Sequence, residues 1–222
     1  MIPWSLIDTA TLPDGGDLRL KRRGAEFSIM LGTNELMNSR LSGSEEALAR
    51  LTCARIADRP APRLLIGGLG MGFTLRAALA ACGPDAQIVV GELIPAVVDW
   101  ARGPMAEIFA GSLDDPRVRI AVGDVRAMID DRREKYDAIL LDVDNGPEGL
   151  TVKANDRLYD GRGLGAAKAA LNPGGVLSVW SSAPDARFTQ RLRKAGFAVE
   201  ETPVRANGRS GGARHMIWLA TA

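Results

Sequence analysis

The sequence predicts an α/β protein: a mostly parallel sheet of seven strands with helices on both faces and a closing antiparallel hairpin, preceded by a small N-terminal β layer. Three observations carry this prediction. Runs such as Leu64-Leu65-Ile66 and Ala138-Ile139-Leu140-Leu141 are apolar on both faces of a strand, a pattern typical of strands covered on both sides. These runs alternate with helical stretches, the signature of a parallel sheet wrapped by crossovers. The last two β segments, around Phe197-Ala198-Val199 and Met216-Ile217-Trp218, are joined by a loop too short for a further crossover helix, so they pair antiparallel.

The elements follow in order. Residues 1–60 form a separate N-terminal region. Leu18-Arg19-Leu20-Lys21 and Phe27-Ser28-Ile29-Met30 alternate apolar and polar between glycines, which indicates short antiparallel strands. A helix spans 44–57, with Ser44 as its cap and Ala47, Leu48, Leu51, Ala54 and Ile56 on its apolar face. Pro60-Ala61-Pro62 is a stiff connector and marks the boundary. Residues 61–222 form the second region. Its strands lie at 63–67, 87–92, 118–122, 136–142, 175–180, 198–203 and 214–220. Its helices lie at 72–81, 94–109, 125–131, 164–171 and 183–195.

Composition excludes several function classes. The formal net charge is +1, so no strong field draws the chain to nucleic acid or to an anionic membrane. The basic run Arg19-Leu20-Lys21-Arg22-Arg23 reads as a solvated strand. No apolar stretch reaches the roughly 18–20 residues of a membrane-spanning helix, and residues 1–10 lack the features of a signal peptide. Cys53 and Cys82 stand outside any CxxC or Cys/His cluster. Reduced thiols, no metal and a cytoplasmic location are expected.

The strongest local signal is Gly67-Gly68-Leu69-Gly70-Met71-Gly72, which ends one strand and opens a helix. Gly67, Gly68, Gly70 and Gly72 permit a tight turn and bring a ligand against bare backbone. The spacing fails the dinucleotide pattern, because positions 73 and 75 are Phe and Leu. The turn therefore suits a nucleoside or amino-acid ligand better than a pyrophosphate. Three acids follow at strand ends. Glu92 is placed to accept hydrogen bonds from ribose hydroxyls, Asp124 to meet an adenine amino group or cap the next helix, and Asp142 closes the fourth strand. Ligands of open parallel sheets bind at this C-terminal edge.

These segments resemble the spermidine synthase (polyamine aminopropyltransferase) family. Ile66 to Gly72 is similar to its Gly-Gly-Gly-Asp-Gly-Gly motif, and Leu75-Arg76 to the Leu-Arg that often follows. Asp115-Pro116-Arg117-Val118, Gly123-Asp124 and Tyr136-Asp137-Ala138-Ile139-Leu140-Leu141-Asp142 resemble further family segments, as do Gly146-Pro147 and Leu158-Tyr159. The resemblance implies a Rossmann-like class I methyltransferase fold and binding of S-adenosylmethionine or its decarboxylated form. It also implies aminopropyl transfer to an amine acceptor and a homodimer. By it, the glycine turn holds the methionine-derived tail, Glu92 the ribose and Asp124 the adenine. Asp142 is the candidate base and Asp144 a second amine ligand, with Glu46, Tyr159 and Trp180 around the acceptor.

Some positions depart from the family pattern. Gly70 stands where an Asp is usual, and Asp142-Val143-Asp144 replaces an Asp-x-x-Asp spacing. Ser44-Glu45-Glu46 falls where Tyr, His or Gln, and Glu are expected, and Trp180 where Gln is common. His215, the only histidine, is read as a packing residue away from the acidic edge. Three functions stay open: an aminopropyltransferase, a methyltransferase using intact S-adenosylmethionine, and a non-catalytic nucleoside or polyamine binder.

Overall fold

The computed structural model describes residues 2–12, 15–143, 146–147, 156–207 and 212–222. Four N-terminal strands, β1 (Ser5–Thr11), β2 (Asp17–Arg23), β3 (Glu26–Leu31) and β4 (Asn34–Asn38), form an antiparallel meander in chain order. Helix α1 (Gly43–Arg55) follows. The second sheet contains β5 (Arg63–Gly67), β6 (Gln87–Glu92), β7 (Val118–Val122), β8 (Tyr136–Leu141), β9 (Leu171–Ser181), β10 (Ala198–Arg205) and β11 (Arg214–Thr221). Its order is β10-β11-β9-β8-β5-β6-β7, parallel from β9 to β7 and antiparallel at the β9-β11-β10 end. The chain is thus an α/β protein of the predicted kind, with the hairpin at one edge.

The apolar runs explain the doubly covered sheet. Side chains alternate across a strand. Leu64, Ile66, Ala138 and Leu140 enter one core cluster, and Leu65, Ile139 and Leu141 enter the other, on the opposite face. Leu18, Leu20, Phe27 and Ile29 of the meander belong to the first cluster too. The N-terminal layer therefore shares a core with the larger sheet and is held against it by apolar burial.

Helices α2 (Phe73–Ala81), α3 (Pro95–Arg102), α4 (Ala106–Phe109), α5 (Val125–Asp130), α6 (Asp156–Tyr159), α7 (Gly161–Ala170) and α8 (Ala186–Lys194) occupy the crossovers. The single helix expected over 94–109 is two. Pro104 has no N–H to continue the helix, and it disfavours helical backbone at the preceding residue, Gly103, where α3 stops. The cap of α1 also differs from expectation. Ser42 occupies the N-cap position without a side-chain cap bond, and Ser44, two residues on in the first turn, is fully buried with its hydroxyl directed to Glu45.

Candidate functional site

Parallel register decides which side chains meet. Gly67 pairs with Gly91 and with Leu141, and Glu92 pairs with Val122. The glycine turn, Glu92, Asp124 and Asp142 therefore emerge side by side at the C-terminal edge. The strand order reverses between β5 and β8, so this edge is also the topological switch point, where such sheets open a crevice. Backbone bonds fix the mouth: Gly68 N–H donates to Gly91 O (2.8 Å), Asp142 N–H to Gly67 O (3.0 Å) and Gly123 N–H to Glu92 O (2.8 Å).

The crevice has two lobes that share Leu36, Met37, Gly70 and Asp142. The first, about 830 Å³ with its open mouth, is lined by Gly68, Gly70, Glu92, Ile94, Asp124 and Asp142 under Leu12, Leu18, Leu36 and Met37 of the N-terminal layer. The second, about 660 Å³ on the same measure, is lined by Glu45, Asn38, Met71, Phe73, Asp142 and Trp180 among others. Both fall in the size range of small-ligand sites.

Glu92 is 7% exposed. Its Oε2 accepts from Leu69 N–H and its Oε1 from Ile94 N–H, both at 2.9 Å. Burial raises its pKa, and the main-chain N–H groups of Ile94, Leu69, Gly70 and Leu93 oppose that rise. Main-chain N–H groups thus surround the carboxylate while it still lines the first lobe. Asp124 caps α5 by accepting from Arg126 N–H at 2.8 Å while lining the first lobe. Both roles considered for it from sequence are thus geometrically compatible. The apolar roof, the glycine floor and these two acids fit the base and sugar of a nucleoside.

The second lobe is an acidic pocket with apolar walls. Thr74 Oγ1 donates to Asp142 Oδ2 at 2.6 Å. Burial, and then the neighbouring Glu45 carboxylate, raise the Asp142 pKa to about 7, against the smaller opposing effect of Thr74. Glu45 is likewise raised, by burial first. Ser44 Oγ donates to Glu45 Oε2 at 2.5 Å and lies 2.9 Å from His215 Nδ1. The His215 ring meets Trp180 edge-on, with centroids 4.8 Å apart. The Trp180 Nε1 is buried and has no hydrogen-bond acceptor among the described residues.

Of the residues singled out from sequence, Gly68, Gly70, Gly72, Glu92, Asp124, Asp142 and Trp180 line the two lobes. Gly67 lies beneath them, where a Cβ would meet Val125 at 3.1 Å. Glu46 lines neither lobe, and Glu45 takes the place expected for it. Tyr159 is buried in the second core cluster, edge-on to Phe188 at 5.7 Å, and also lines neither lobe. Asp144 lies outside the described residues. Sequence reading did not single out Glu45 or Met37, which line the lobes, or Thr74, which lines neither and reaches Asp142 by a hydrogen bond. His215, read as a packing residue, packs on Trp180 and lines neither lobe, but it contacts Ser44 beside Glu45.

Sheet order, switch point and bipartite crevice define an α/β protein of the class I methyltransferase architecture. Comparison with known proteins places it further. A family model described as S-adenosyl-L-methionine-dependent methyltransferase matches residues 100–216, just over half of the chain. The chain is 32% identical over 153 residues to a polyamine aminopropyltransferase of Mycobacterium tuberculosis, covering 65% of this chain and 28% of that protein. It is 32% identical over 120 residues to one of Korarchaeum cryptofilum, covering 54% and 35%. These matches span well under half the length of either curated relative. The fold is similar to that of spermidine synthase from Thermotoga maritima, with a TM-score of 0.75, 20% identity and coverage of 97% of this chain and 72% of that one. A spermidine synthase in complex with the transition-state analogue AdoDATO gives a TM-score of 0.74 at the same identity and coverages. The chain belongs to the S-adenosyl-L-methionine-dependent methyltransferase family.

Proposed function

We propose that this chain is an aminopropyltransferase, binding decarboxylated S-adenosylmethionine in the first lobe and an amine acceptor in the second. The observation that carries the reading is the half-buried Asp142–Glu45 pair in a pocket that shares a wall with the nucleoside lobe. Two carboxyls close together in an apolar setting hold one proton tightly and attract a cation, which relieves their repulsion. An amine is the ligand that answers that charge.

The glycine turn and Glu92 would hold the sulfonium nucleoside, Glu92 through the ribose and Gly70 beside the tail. When bound, that cofactor supplies a carbon activated by the adjacent sulfonium. Asp142, at the junction of the lobes, takes the proton that the acceptor nitrogen must lose as its new N–C bond forms and the C–S bond breaks. Its elevated pKa matches that task near neutral pH. Glu45 stays as the counter-charge to the acceptor's ammonium end. Trp180, Phe73 and Met37 exclude water along the aliphatic part. Asp144 remains a proposed second amine ligand. A cytoplasmic setting and a homodimer complete the proposal. The exposed Leu6 and Ile7 of the outer strand β1, with Ile2 just before it, support the latter, and light scattering at several concentrations tests it.

A second reading has one specific observation in its favour. Gly70 contributes no carboxylate to the first lobe, so the carboxylate of intact S-adenosylmethionine meets no repulsion there, and methyl transfer becomes possible. Calorimetry with both cofactor forms decides. Binding of the decarboxylated form, with an aminopropylated product from a panel of amines, supports the first reading. Binding of the carboxylated form alone overturns it.

A further inference from the structure

We propose that His215 is a positioning residue, which through Ser44 holds the Glu45 carboxylate ionised and in place to receive the cationic end of the acceptor. The inference rests on the reading of the second lobe as an amine site.

The geometry is a three-member chain drawn from distant parts of the sequence. His215 sits near the start of β11, one residue before Met216, which pairs with Ser181 at the end of β9. Because β11 runs antiparallel to β9, its first residues lie at the same edge as Asp142. Ser44, 171 residues earlier in the chain, is 0% exposed and 2.9 Å from His215 Nδ1. Its Oγ is 2.5 Å from Glu45 Oε2. A hydroxyl has a single proton to donate. With that proton directed at the carboxylate, Nδ1 must carry its own proton and donate to Oγ. The tautomer is therefore set by Glu45, and the imidazole plane is set by the edge-on contact with Trp180.

The charges around Glu45 show why such support is needed. Glu46 on the same helix and Asp142 beyond β8 both face it with negative charge, and burial adds to the cost of ionising it. Each carboxyl of the pair has its own hydroxyl donor, Ser44 for Glu45 and Thr74 for Asp142. Among the described residues, only the Ser44 hydroxyl is backed by a second donor. Cooperative polarisation along such a chain strengthens the terminal bond, so Glu45 ionises before Asp142. The two carboxyls then divide the work, Glu45 as fixed anion and Asp142 as proton acceptor. His215 itself stays neutral around pH 7, because burial lowers its pKa.

The test is a carboxyl ¹³C NMR titration of the full chain, with Glu45 assigned through Glu45→Gln. It compares wild type with Ser44→Ala, His215→Phe and His215→Asn. The Phe variant keeps the ring contact with Trp180 and lacks Nδ1, whereas Asn restores a donor near the Nδ1 position. In Ser44→Ala and His215→Phe the Glu45 midpoint should rise by about a unit, a tenfold loss of the ionised form at a given pH. His215→Asn should restore most of it, and Thr74→Val should leave Glu45 in place. Turnover gives a second readout with 1,4-diaminobutane as probe: KM should rise at least about tenfold in His215→Phe while kcat changes less than about threefold. An unmoved Glu45 midpoint in both Ser44→Ala and His215→Phe overturns the inference whatever the activity. A shifted midpoint in a protein that binds no amine sustains the tether and overturns the amine reading instead.

Discussion

Thr74 Oγ1, in the first turn of α2, donates a 2.6 Å hydrogen bond to Oδ2 of Asp142, just past the end of β8. The bond joins the helix that follows the glycine turn to the acid where the two lobes meet. Thr74 is the hydroxyl donor that favours the ionised form of Asp142, against burial and Glu45. Thr74→Val keeps the shape and removes the donor. The acid limb of the pH–kcat/KM profile should then move upward from about 7, with the rate on the alkaline plateau largely kept. A profile that does not move would detach Thr74 from the titration of Asp142.

Asp142→Asn should lower turnover by roughly 10²–10⁴-fold, the usual contribution of a positioned general base, and leave nucleoside binding intact. Its effect on stability has a definite sign. The carboxyl titrates at about 7 in the folded chain and at about 3.9 when unfolded. Between those values the native state holds the extra proton, so wild-type stability falls as pH rises from about 4 to about 7 and then levels. The Asn variant lacks this decline. Thermal unfolding of both proteins between pH 4 and pH 8, without ligand, should show the two curves diverging as pH rises, with the variant the more stable above pH 7.

Glu92→Gln probes the floor of the nucleoside lobe. Both carboxylate oxygens accept main-chain N–H bonds, from Leu69 and Ile94. A carboxamide replaces one acceptor with a donor and sets N–H against N–H in a buried place. The loss should be about 1–3 kcal/mol of stability and at least about tenfold in nucleoside affinity, measured by denaturant unfolding and calorimetry. Full affinity in a folded variant would remove Glu92 from the site.

The same contrast between strand ends and distant contacts governs how much was legible in the sequence. The strands Arg63–Gly67, Gln87–Glu92 and Val118–Val122 fall at the predicted limits. Each is a short apolar run closed by turn residues, and such runs declare themselves locally. Once the strands are parallel, their final residues share an edge, so Glu92, Asp124 and Asp142 follow by topology. Glu45 and Glu46 are different. Adjacent helix residues point about 100° apart, and only the packing of α1 on α2 and the sheet decides which one faces the lobe. His215 joins Ser44 through tertiary contact alone, and no sequence periodicity encodes it. The break at Gly103-Pro104 was written in the chain, but the apolar pattern from Pro95 to Phe109 obscured it.

Gly68→Ala tests the turn itself. Gly68 has φ +91°, and a Cβ there would stand 2.4 Å from the backbone carbonyl oxygen of Asp142. Neither the left-handed conformation nor the clash with main chain is relieved by a rotamer change. The variant should lose at least about 2 kcal/mol of stability and its nucleoside affinity. Gly83→Ala, where a Cβ meets nothing within 4 Å, is the control and should unfold like wild type. Equal melting of the two variants would show that the turn relaxes freely.

One acid of the family-like Tyr136–Asp142 segment belongs to the frame of the sheet. Asp137, in Tyr136-Asp137, is 5% exposed at the N-terminal end of β8, the opposite edge from the crevice. Its Oδ1 accepts from Arg59 Nη1 and Asn172 Nδ2, and its Oδ2 from Arg63 N–H, each at 2.8 Å. It thereby ties the segment before β5 and the start of β9 to β8, closing the base of the sheet around the Pro60-Ala61-Pro62 connector. Removing one partner of a buried charged network costs about 3–5 kcal/mol, because the remaining groups stay desolvated. Asp137→Ala should show that loss in denaturant unfolding, while the folded fraction keeps wild-type affinity for the nucleoside. Asp137→Asn, which preserves the shape and most acceptor capacity, should lose less. A large drop in affinity at unchanged stability would move Asp137 from the frame of the sheet into the site.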